Sequence, residues 1–216
     1  MIPGATERTR LRRLPEKAAT DTDALHAVLD AGLVAHVAVV SDGQPYVLPV
    51  GYARDGERVL LHGSTGSRLF RALAAGAPTC LTVTLLDGLV LARSAFESSM
   101  NYRSVMVLGS CTELHGADKD AALRRLSDHL LPDRWDDVRP PSRKELAKTT
   151  VLALPLDECS VKISTGGPDD APEDLDRPTW AGHVPIREVF DAPVPAPDNA
   201  MPVPPYLAGW SRGSES

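Results

Sequence analysis

One stretch of this chain reads His62-Gly63-Ser64-Thr65-Gly66-Ser67-Arg68-Leu69-Phe70-Arg71-Ala72-Leu73. A strand rich in apolar residues precedes it over residues 58–61, and a helix with one apolar side follows from about Ser67 to Ala75. Gly76 marks the end of that helix. The turn between the two elements consists of hydroxyl-bearing residues and glycines. The stretch therefore predicts a strand that turns sharply into a helix.

The chemistry of this turn suits an anion. Backbone N–H groups, the positive end of the helix dipole, several hydroxyls and the Arg68 guanidinium would converge at one point. This is the arrangement that binds a phosphate group. The same residues also fit a simpler interpretation, in which an ordinary Ser/Thr N-cap is followed by two surface arginines, Arg68 and Arg71.

Short strands and tight turns extend outward from this stretch on both sides. Turn sequences at 41–44, 55–56 and 87–88 predict three hairpins. Strands are predicted over 33–40, 46–53, 58–62, 79–86, 89–95, 103–114, 151–155 and 160–164, and helices over 20–32, 67–75, 118–131 and 143–148. Most connections are too short for parallel crossovers, so the pairing is antiparallel. The fold predicted is mainly β with inserted helices, an antiparallel split β-barrel of six or seven strands.

Composition divides the chain into three parts. Residues 1–19 form a polar N-terminal arm, and residues 20–165 form the barrel domain. Residues 166–216 form an extended, proline-rich C-terminal arm that contains ten of the nineteen prolines and supplies no central strand. Its aromatic residues indicate that it is anchored to the barrel or to a second subunit, and disorder is expected beyond Trp210. These aromatics are Trp180, Phe190, Tyr206 and Trp210.

Charge and hydropathy exclude several classes of protein. The formal net charge of −6 argues against nucleic acid as the main partner, because no basic stripe could release counterions. No segment has the roughly 18 consecutive apolar residues that a membrane span needs, and the N-terminus lacks the apolar core of a secretory signal, so we expect a cytoplasmic protein. Cys80, Cys111 and Cys159 fit buried, reduced thiols. The histidines lack ligand spacing, so no metal site is expected.

A second polar stretch, Ser94 to Val105, separates two apolar strands. Arg93 and Arg103 flank it, and either could add a positive group to an anion site. No nucleophile motif such as G-x-S-x-G is present. If the protein is an enzyme, a cofactor therefore carries the difficult chemistry.

The order of these motifs resembles a known family. Four segments carry the resemblance: Pro49-Val50-Gly51-Tyr52, then His62 to Arg68, then Ser99-Met100-Asn101-Tyr102-Arg103-Ser104-Val105, and Arg177 to Pro185. Together they are similar to the flavin-nucleotide-binding branch of the pyridoxamine 5′-phosphate oxidase-like split barrels, which includes nitroimidazole-resistance proteins. The resemblance extends from about Thr9 to about Trp210.

This resemblance implies a homodimer that binds FMN in two equivalent clefts between the barrels. His62 and Arg103 are then the candidates for a catalytic role, and Arg103 or a backbone N–H near Gly51 would stabilise the reduced flavin. Two of the residues also have simpler interpretations, since His62 could be a strand-end histidine bonded to backbone and Asn101 could cap a turn. The cofactor-binding residues implied are Pro49, Val50, Gly51, Tyr52, His62, Gly63, Ser64, Thr65, Ser67, Arg68, Met100, Asn101, Tyr102, Arg103, Ser104 and Trp180.

Three functions compete on this basis. The first is an FMN-dependent oxidoreductase that takes hydride from NAD(P)H and reduces a small organic substrate, such as a nitroaromatic compound. The second is a non-catalytic flavin- or haem-binding carrier or sensor that uses the same cleft. The third, oxidation of pyridoxamine 5′-phosphate, is disfavoured because Arg177 and Arg187 are too few for a second phosphate site.

Overall fold

The computed structural model describes residues 2–207, which form five α-helices and ten strands. The helices are α1 (Thr22–Ala31), α2 (Arg68–Ala74), α3 (Gly116–Leu130), α4 (Arg134–Asp137) and α5 (Arg143–Ala147). The strands are β1 (Ala18–Ala19), β2 (Val34–Ser41), β3 (Gln44–Asp55), β4 (Arg58–Ser64), β5 (Pro78–Leu91), β6 (Ser99–Ser110), β7 (Thr112–Glu113), β8 (Thr149–Pro155), β9 (Glu158–Ser164) and β10 (Gly182–Pro185).

The strands form one antiparallel sheet in the order β1-β9-β6-β5-β2-β3-β4-β8-β7. β10 lies off this path and pairs with β5. Among residues 2–207 the two end strands, β1 and β7, do not pair with each other, so the sheet curls without closing. Seven strands of this part of the chain have seven or more residues. The prediction of a mainly β, antiparallel split barrel is confirmed.

The split lies between β3 and β4. β3 pairs with β2 from Gln44 to Gly51, but it pairs with β4 only from Tyr52 onward, where Tyr52 lies opposite Leu61. The first half of β3 therefore leaves β4. Beside β4, α2 packs its buried apolar side into the core. Tyr52 is completely buried and donates a hydrogen bond from its hydroxyl to the carbonyl oxygen of Leu29, at 2.6 Å. This bond ties the point of separation to the end of α1.

A large apolar cluster fills the inside of the sheet, and a smaller one lies under α3. The large cluster includes α1 and α2 residues packed against β2, β5, β6 and β9. In the smaller one, Ala122 and Leu126 of α3 pack with Ala53 and Leu60 on the opposite side of β3 and β4. His129 lies in the last turn of α3, and its Nε2 forms a 2.7 Å hydrogen bond with the carbonyl oxygen of Gly32.

On the four strands β2, β3, β5 and β6, the side of the sheet that faces away from the core carries no charged side chain. We call it the outer face. It comprises the residues of β2, β3, β5 and β6 that alternate with the core residues, and the register places them side by side. None of them is buried. They are Val34, His36, Ala38, Val40, Pro45, Val47, Pro49, Gly51, Pro78, Cys80, Thr82, Thr84, Leu86, Tyr102, Ser104, Met106, Leu108 and Ser110.

The hairpin predicted at Asp87-Gly88 is wrong. β5 continues through this dipeptide as one strand, with a β-bulge between Leu86 and Gly88. Asp87 accepts two hydrogen bonds from Arg103 on the neighbouring strand. A Cβ at Gly88 would lie 2.9 Å from the carbonyl oxygen of Val184, so the glycine permits the close approach of β10. The chain turns instead over residues 92–98, and β6 begins four residues earlier than predicted.

Both arms predicted from composition pack against the barrel. In the N-terminal arm, Pro3 and Thr9 are buried, and the Gly4 amide donates to the Cys159 carbonyl at 2.7 Å. The C-terminal arm adds β10 to β5 and fixes its far end through Tyr206, whose hydroxyl donates to Asp137 at 2.5 Å. Trp210 and the disorder predicted after it lie outside the described residues. Within residues 2–207 every helix is too short or too polar to cross a membrane.

Gly63 is required where α2 meets β4. A Cβ at this position would lie 2.2 Å from Cε2 of Phe70, which anchors α2 in the core. We expect Gly63→Ala to lower the free energy of unfolding in urea by about 1–3 kcal/mol, because Phe70 must leave its position. Gly51→Ala is the control, since a Cβ there meets no atom within 4 Å. Equal stability of the two variants would contradict this packing.

Candidate functional site

The site predicted from sequence begins where β3 and β4 separate. Gly51 and His62 each lie one residue beyond the last pair, Tyr52 and Leu61. His62 of β4 therefore points to the same side of the sheet as Gly51 on the outer face. Val34 of β2 lies opposite Gly51 and belongs to the same face. A Cβ at Gly51 would meet no atom within 4 Å. The outer face thus has open space beside an exposed histidine.

The hydroxyl-rich turn follows His62 directly. Within it, the amides predicted to be free are already used: Thr65 N–H donates to the Lys148 carbonyl at 3.0 Å and Gly66 N–H to Ser64 Oγ at 3.1 Å. Ser67 N–H donates to the Ser64 carbonyl at 2.9 Å. These three amides are therefore bonded within the protein, and the expectation that backbone N–H groups of the turn bind an anion does not hold for them. An anion at this turn would be held by side chains and by the first amides of α2, a helix of only seven residues.

Arg68 is the cation of this turn. Its guanidinium lies 5.3 Å from the centre of the Tyr46 ring, a cation–π contact, and within residues 2–207 it forms no ion pair. Arg68 is exposed and begins α2 directly after Ser64, Thr65 and Ser67, whose side chains carry hydroxyl groups. Most arginines within residues 2–207 are paired with carboxylates, whereas the guanidinium of Arg68 is not.

Arg103 differs from Arg68 in this respect. It donates two hydrogen bonds to Asp87, at 2.9 and 2.7 Å, and this interaction raises the pKa of the guanidinium. The pair is nearly neutral as a unit. The charge of Arg103 is therefore already compensated by Asp87, and its role in stabilising a reduced flavin stays a prediction.

Three other predicted residues have structural roles. Tyr52 is a core residue with no exposed surface, so the prediction that its side chain lines a ring-binding wall is wrong. Val50 points inward and packs against the same core. Asn101 is nearly buried and its Nδ2 donates to the Gly166 carbonyl at 2.9 Å, which ties the C-terminal arm to β6.

The remaining predicted residues divide between the outer face and the arm. Pro49, Met100, Tyr102 and Ser104 lie on the outer face or on its continuation past the bulge in β5. Trp180 is 67% exposed, and its ring lies within 3 Å of where a Cβ on Gly182 would be. The structure thus brings Gly51, His62 and the hydroxyl-rich turn together, whereas Trp180 lies in the C-terminal arm, two residues before β10.

Sequence reasoning missed several residues of this surface. Val34, His36, Thr82 and Thr84 form its centre, although the sequence shows β2 only as a continuous apolar run. Every second residue of these strands faces away from the core. The sequence could have indicated these residues only if it had shown which side of the sheet is left uncovered. A cleft of about 480 Å³ lies on the same face, far along β2 from Val34. It is lined by Arg8, Ala38, Val39, Val40, Pro45, Pro78, Thr79, Cys80, Leu108, Gly109 and Ser110.

The imidazole of His62 is held in its neutral form. Surrounding protein atoms exclude water from part of the ring and lower its pKa below the ordinary value of 6.5, although more than a third of the residue remains exposed. A neutral imidazole can accept a proton or bind a metal through its free nitrogen.

Comparison with known protein families gives a clear assignment. The family described as pyridoxamine 5′-phosphate oxidase matches residues 21–163, more than half of the chain. The chain belongs to this family. The resemblance noted in the motifs is confirmed, and the matched residues include the strands and the turn described above. None of the curated proteins matches the chain.

Several solved structures are similar over nearly the whole chain. The FAD and heme binding protein from Mycobacterium smegmatis is 44% identical, with a TM-score of 0.86, over 89% of this chain and 96% of its own. The flavocytochrome Anf3 from Azotobacter vinelandii is 41% identical, with a TM-score of 0.91, over 96% of this chain and 98% of its own. A 5-nitroimidazole antibiotic resistance protein from Bacteroides thetaiotaomicron shares the fold at 20% identity, with a TM-score of 0.58, over 68% of this chain and 86% of its own.

The lowered pKa of His62 predicts a pH dependence of stability. The unfolded chain binds this proton more tightly than the folded chain, so acidification from above 6.5 favours unfolding. We expect stability in urea to fall less between pH 7.5 and about pH 5.5 in His62→Gln than in the parent protein. The other five histidines are present in both proteins and serve as the internal control. Identical pH slopes would contradict the assignment.

Proposed function

We propose that this protein is a flavin-dependent redox protein whose cofactor binds between Gly51, His62 and the turn at 64–68. The observation that carries the proposal is Arg68, which has no carboxylate partner within residues 2–207 and begins α2 directly after the hydroxyl-bearing residues of that turn. A flavin nucleotide presents an anionic phosphate and a flat apolar ring. The turn suits the first group and the open outer face suits the second.

The phosphate part of this fit rests on side chains. A charge-assisted hydrogen bond from a guanidinium contributes about 1.5–3 kcal/mol, and each neutral hydroxyl contributes less. Tyr46 holds the Arg68 guanidinium in place, so less rotamer freedom is lost on binding. Ser64 contributes one hydroxyl that already bonds to Gly66, whereas Thr65 is exposed and Ser67 is half-buried.

The ring part of the fit rests on small residues. Gly51 leaves open space on the outer face, and Val34 beside it offers an apolar surface. Burial of a flat ring contributes roughly 25 cal/mol per Å² of apolar surface. One side of such a ring would still face solvent in a single chain, which is why we include a homodimer in the proposal. The outer face of a second copy would cover it.

The relatives favour FAD over the FMN predicted from sequence. The mycobacterial protein, 44% identical over 89% of this chain, is described as binding FAD and heme. Together with the flavocytochrome, it supports a second candidate function, a flavin- and haem-binding electron carrier. His62 suits that function too, because an exposed neutral imidazole can bind a haem iron. Oxidation of pyridoxamine 5′-phosphate gains no support, since Arg177 pairs with Asp174 and Arg187 lies exposed on the arm.

A bound flavin would supply hydride acceptance from NAD(P)H and electron delivery to a small substrate. The chain itself positions the cofactor and controls protons around it. Arg68 and the hydroxyls fix the phosphate end, and His62 in its neutral form can take up a proton at its free ring nitrogen near Gly51. The Arg103–Asp87 pair holds β6 against the bulge of β5 and keeps the outer face continuous.

Removing the phosphate contacts tests the site. We expect Arg68→Ala combined with Ser67→Ala to weaken the affinity for FAD and for FMN at least tenfold, since each lost charge-assisted bond costs more than 1.4 kcal/mol. The affinity is measured by titrating the apoprotein with each flavin and recording the change in flavin absorbance. Arg13→Ala is the matched control, because Arg13 is exposed and far from the turn in sequence. Unchanged affinity in the double variant would place the phosphate elsewhere.

Anaerobic mixing separates the two candidate functions. If the protein is a reductase, NADH or NADPH will bleach the bound flavin much faster than it bleaches free flavin at the same concentration. The measurement is stopped-flow absorbance on protein fully loaded with flavin. Retention of the oxidised spectrum would overturn the reductase and leave the electron carrier, for which reduction by dithionite is the positive control.

A further inference from the structure

The first half of β3 has one edge without a strand partner. β2 pairs with β3 from Gln44 to Gly51, whereas β4 pairs with it only from Tyr52 onward. Among residues 2–207 no third strand pairs with β3. Residues 44–49 are exposed, so this edge is open to solvent. We call the side of residues 45–51 that faces away from β2 the open edge.

Two hairpins determine which backbone groups point to the open edge. β3 is joined to β2 and to β4 by two-residue loops, and the residues that flank such a loop exchange two hydrogen bonds. These closing pairs are Ser41 with Gln44 and Asp55 with Arg58. Even-numbered residues of β3 therefore bond to β2, and odd-numbered residues direct their N–H and C=O groups away from β2.

The sequence of β3 agrees with this assignment. Pro45 and Pro49 have no N–H to donate, and both are odd-numbered, so neither removes a hydrogen bond from the pairing with β2. The Pro45 carbonyl accepts from the Gln44 side chain at 3.1 Å, as expected of an oxygen that points away from β2. The open edge thus offers a carbonyl oxygen at every odd-numbered residue, but only Val47 and Gly51 offer an N–H.

Val47 lies beside the residue that orients the candidate phosphate contact. Its neighbour Tyr46 has the Arg68 guanidinium 5.3 Å from the centre of its ring. The side chains of Tyr46 and Leu48 project on the opposite side of β3 from the outer face, and they are 36% and 46% exposed. A phosphate bound by Arg68 therefore has next to it a hydrogen-bonding strand edge with two apolar side chains on one side.

This combination matches the chemistry of an adenine ring. Adenine is flat, and along one side it presents an amino donor, N6, next to a ring acceptor, N1. The open edge presents the complementary pair at Val47, whose N–H can donate to N1 while a neighbouring carbonyl of the same edge accepts from N6. The ring would then lie beside the apolar surface of Tyr46 and Leu48.

We infer that the open edge at Val47 binds the adenine of FAD and thereby distinguishes FAD from FMN. This inference rests on the proposed function, which places a flavin phosphate at Arg68. The two flavins share the ring and the first phosphate, and only FAD continues from that phosphate into an adenosine. Val47 lies four residues, about 14 Å, from Gly51, so the two rings of one dinucleotide occupy different parts of the same strand.

A proline at position 47 tests the inference. Val47→Pro removes the N–H of the open edge and leaves the pairing with β2 intact, as Pro45 and Pro49 do at their positions. We expect the affinity for FAD to fall at least fivefold and the affinity for FMN to change less than twofold, both measured by titration of the apoprotein. Val138→Pro is the matched control, because it makes the same change at an exposed residue after α4, outside the site; we expect less than a twofold change for either flavin.

A competition experiment on the parent protein needs no variant. ADP and N6,N6-dimethyl-ADP carry the same phosphates and ribose, but the dimethyl compound has no donor at N6. We expect ADP to displace bound FAD at a concentration at least fivefold lower than the dimethyl compound does. The measurement is the recovery of the fluorescence of free flavin.

The outcomes separate the inference from the proposed function. An unchanged FAD affinity in Val47→Pro, an equal loss for both flavins, or equal displacement by the two nucleotides overturns the inference and leaves the flavin proposal standing. A parent protein that binds FAD no more tightly than FMN does the same. A parent protein that binds neither flavin overturns both. Urea unfolding midpoints establish that the variants are folded, and if Val47→Pro is not, the competition experiment alone decides.

Discussion

The pairing of β3 with β4 stops at Tyr52 and Leu61, and the interactions that keep the strands apart beyond this point determine where a ligand could bind. The buried Tyr52 hydroxyl binds the carbonyl of Leu29 and holds β3 against α1. On the other strand, Phe70 packs on Gly63 and anchors α2 in the core beside β4. Because both sides are fixed from the core, the next residues, Gly51 and His62, stay on the surface with open space beside them. The candidate site is thus a consequence of how the barrel is split.

Electrostatics then distinguishes two arginines that look equivalent in the sequence. Arg103 meets Asp87 across β5 and β6, and its charge is used to join two strands. Arg68 lies over an aromatic ring, which orients the guanidinium but does not neutralise it. In a chain with a net charge of −6, an anion is attracted only where local cations prevail. The position of Arg68 at the hydroxyl-rich turn is such a place, and the position of Arg103 is not.

The fold class could be predicted because most of its signals are local, and the errors arise where distant segments meet. Asp42 and Gly43 both adopt positive φ, 54° and 77°, and form the predicted hairpin turn. Asp87-Gly88 has the same turn chemistry but lies inside a strand, because Arg103 and a segment nearly a hundred residues later bind it from both sides. In the candidate site, too, local features could be predicted from the sequence, but features that depend on distant segments could not. Gly51 and Tyr52 are neighbours on opposite faces, and only the placement of α1 determines which face is core.

The outer face is a surface through which chains could associate. A sheet surface of four strands with no lysine, arginine, aspartate or glutamate invites association with other chains. The edges of this sheet are occupied: β1, β7 and β10 are short strands that pair with longer ones. Edge-to-edge aggregation is therefore limited, whereas face-to-face association is left open. Because a flat face alone specifies neither register nor partner, a second element must fix the geometry of any such association.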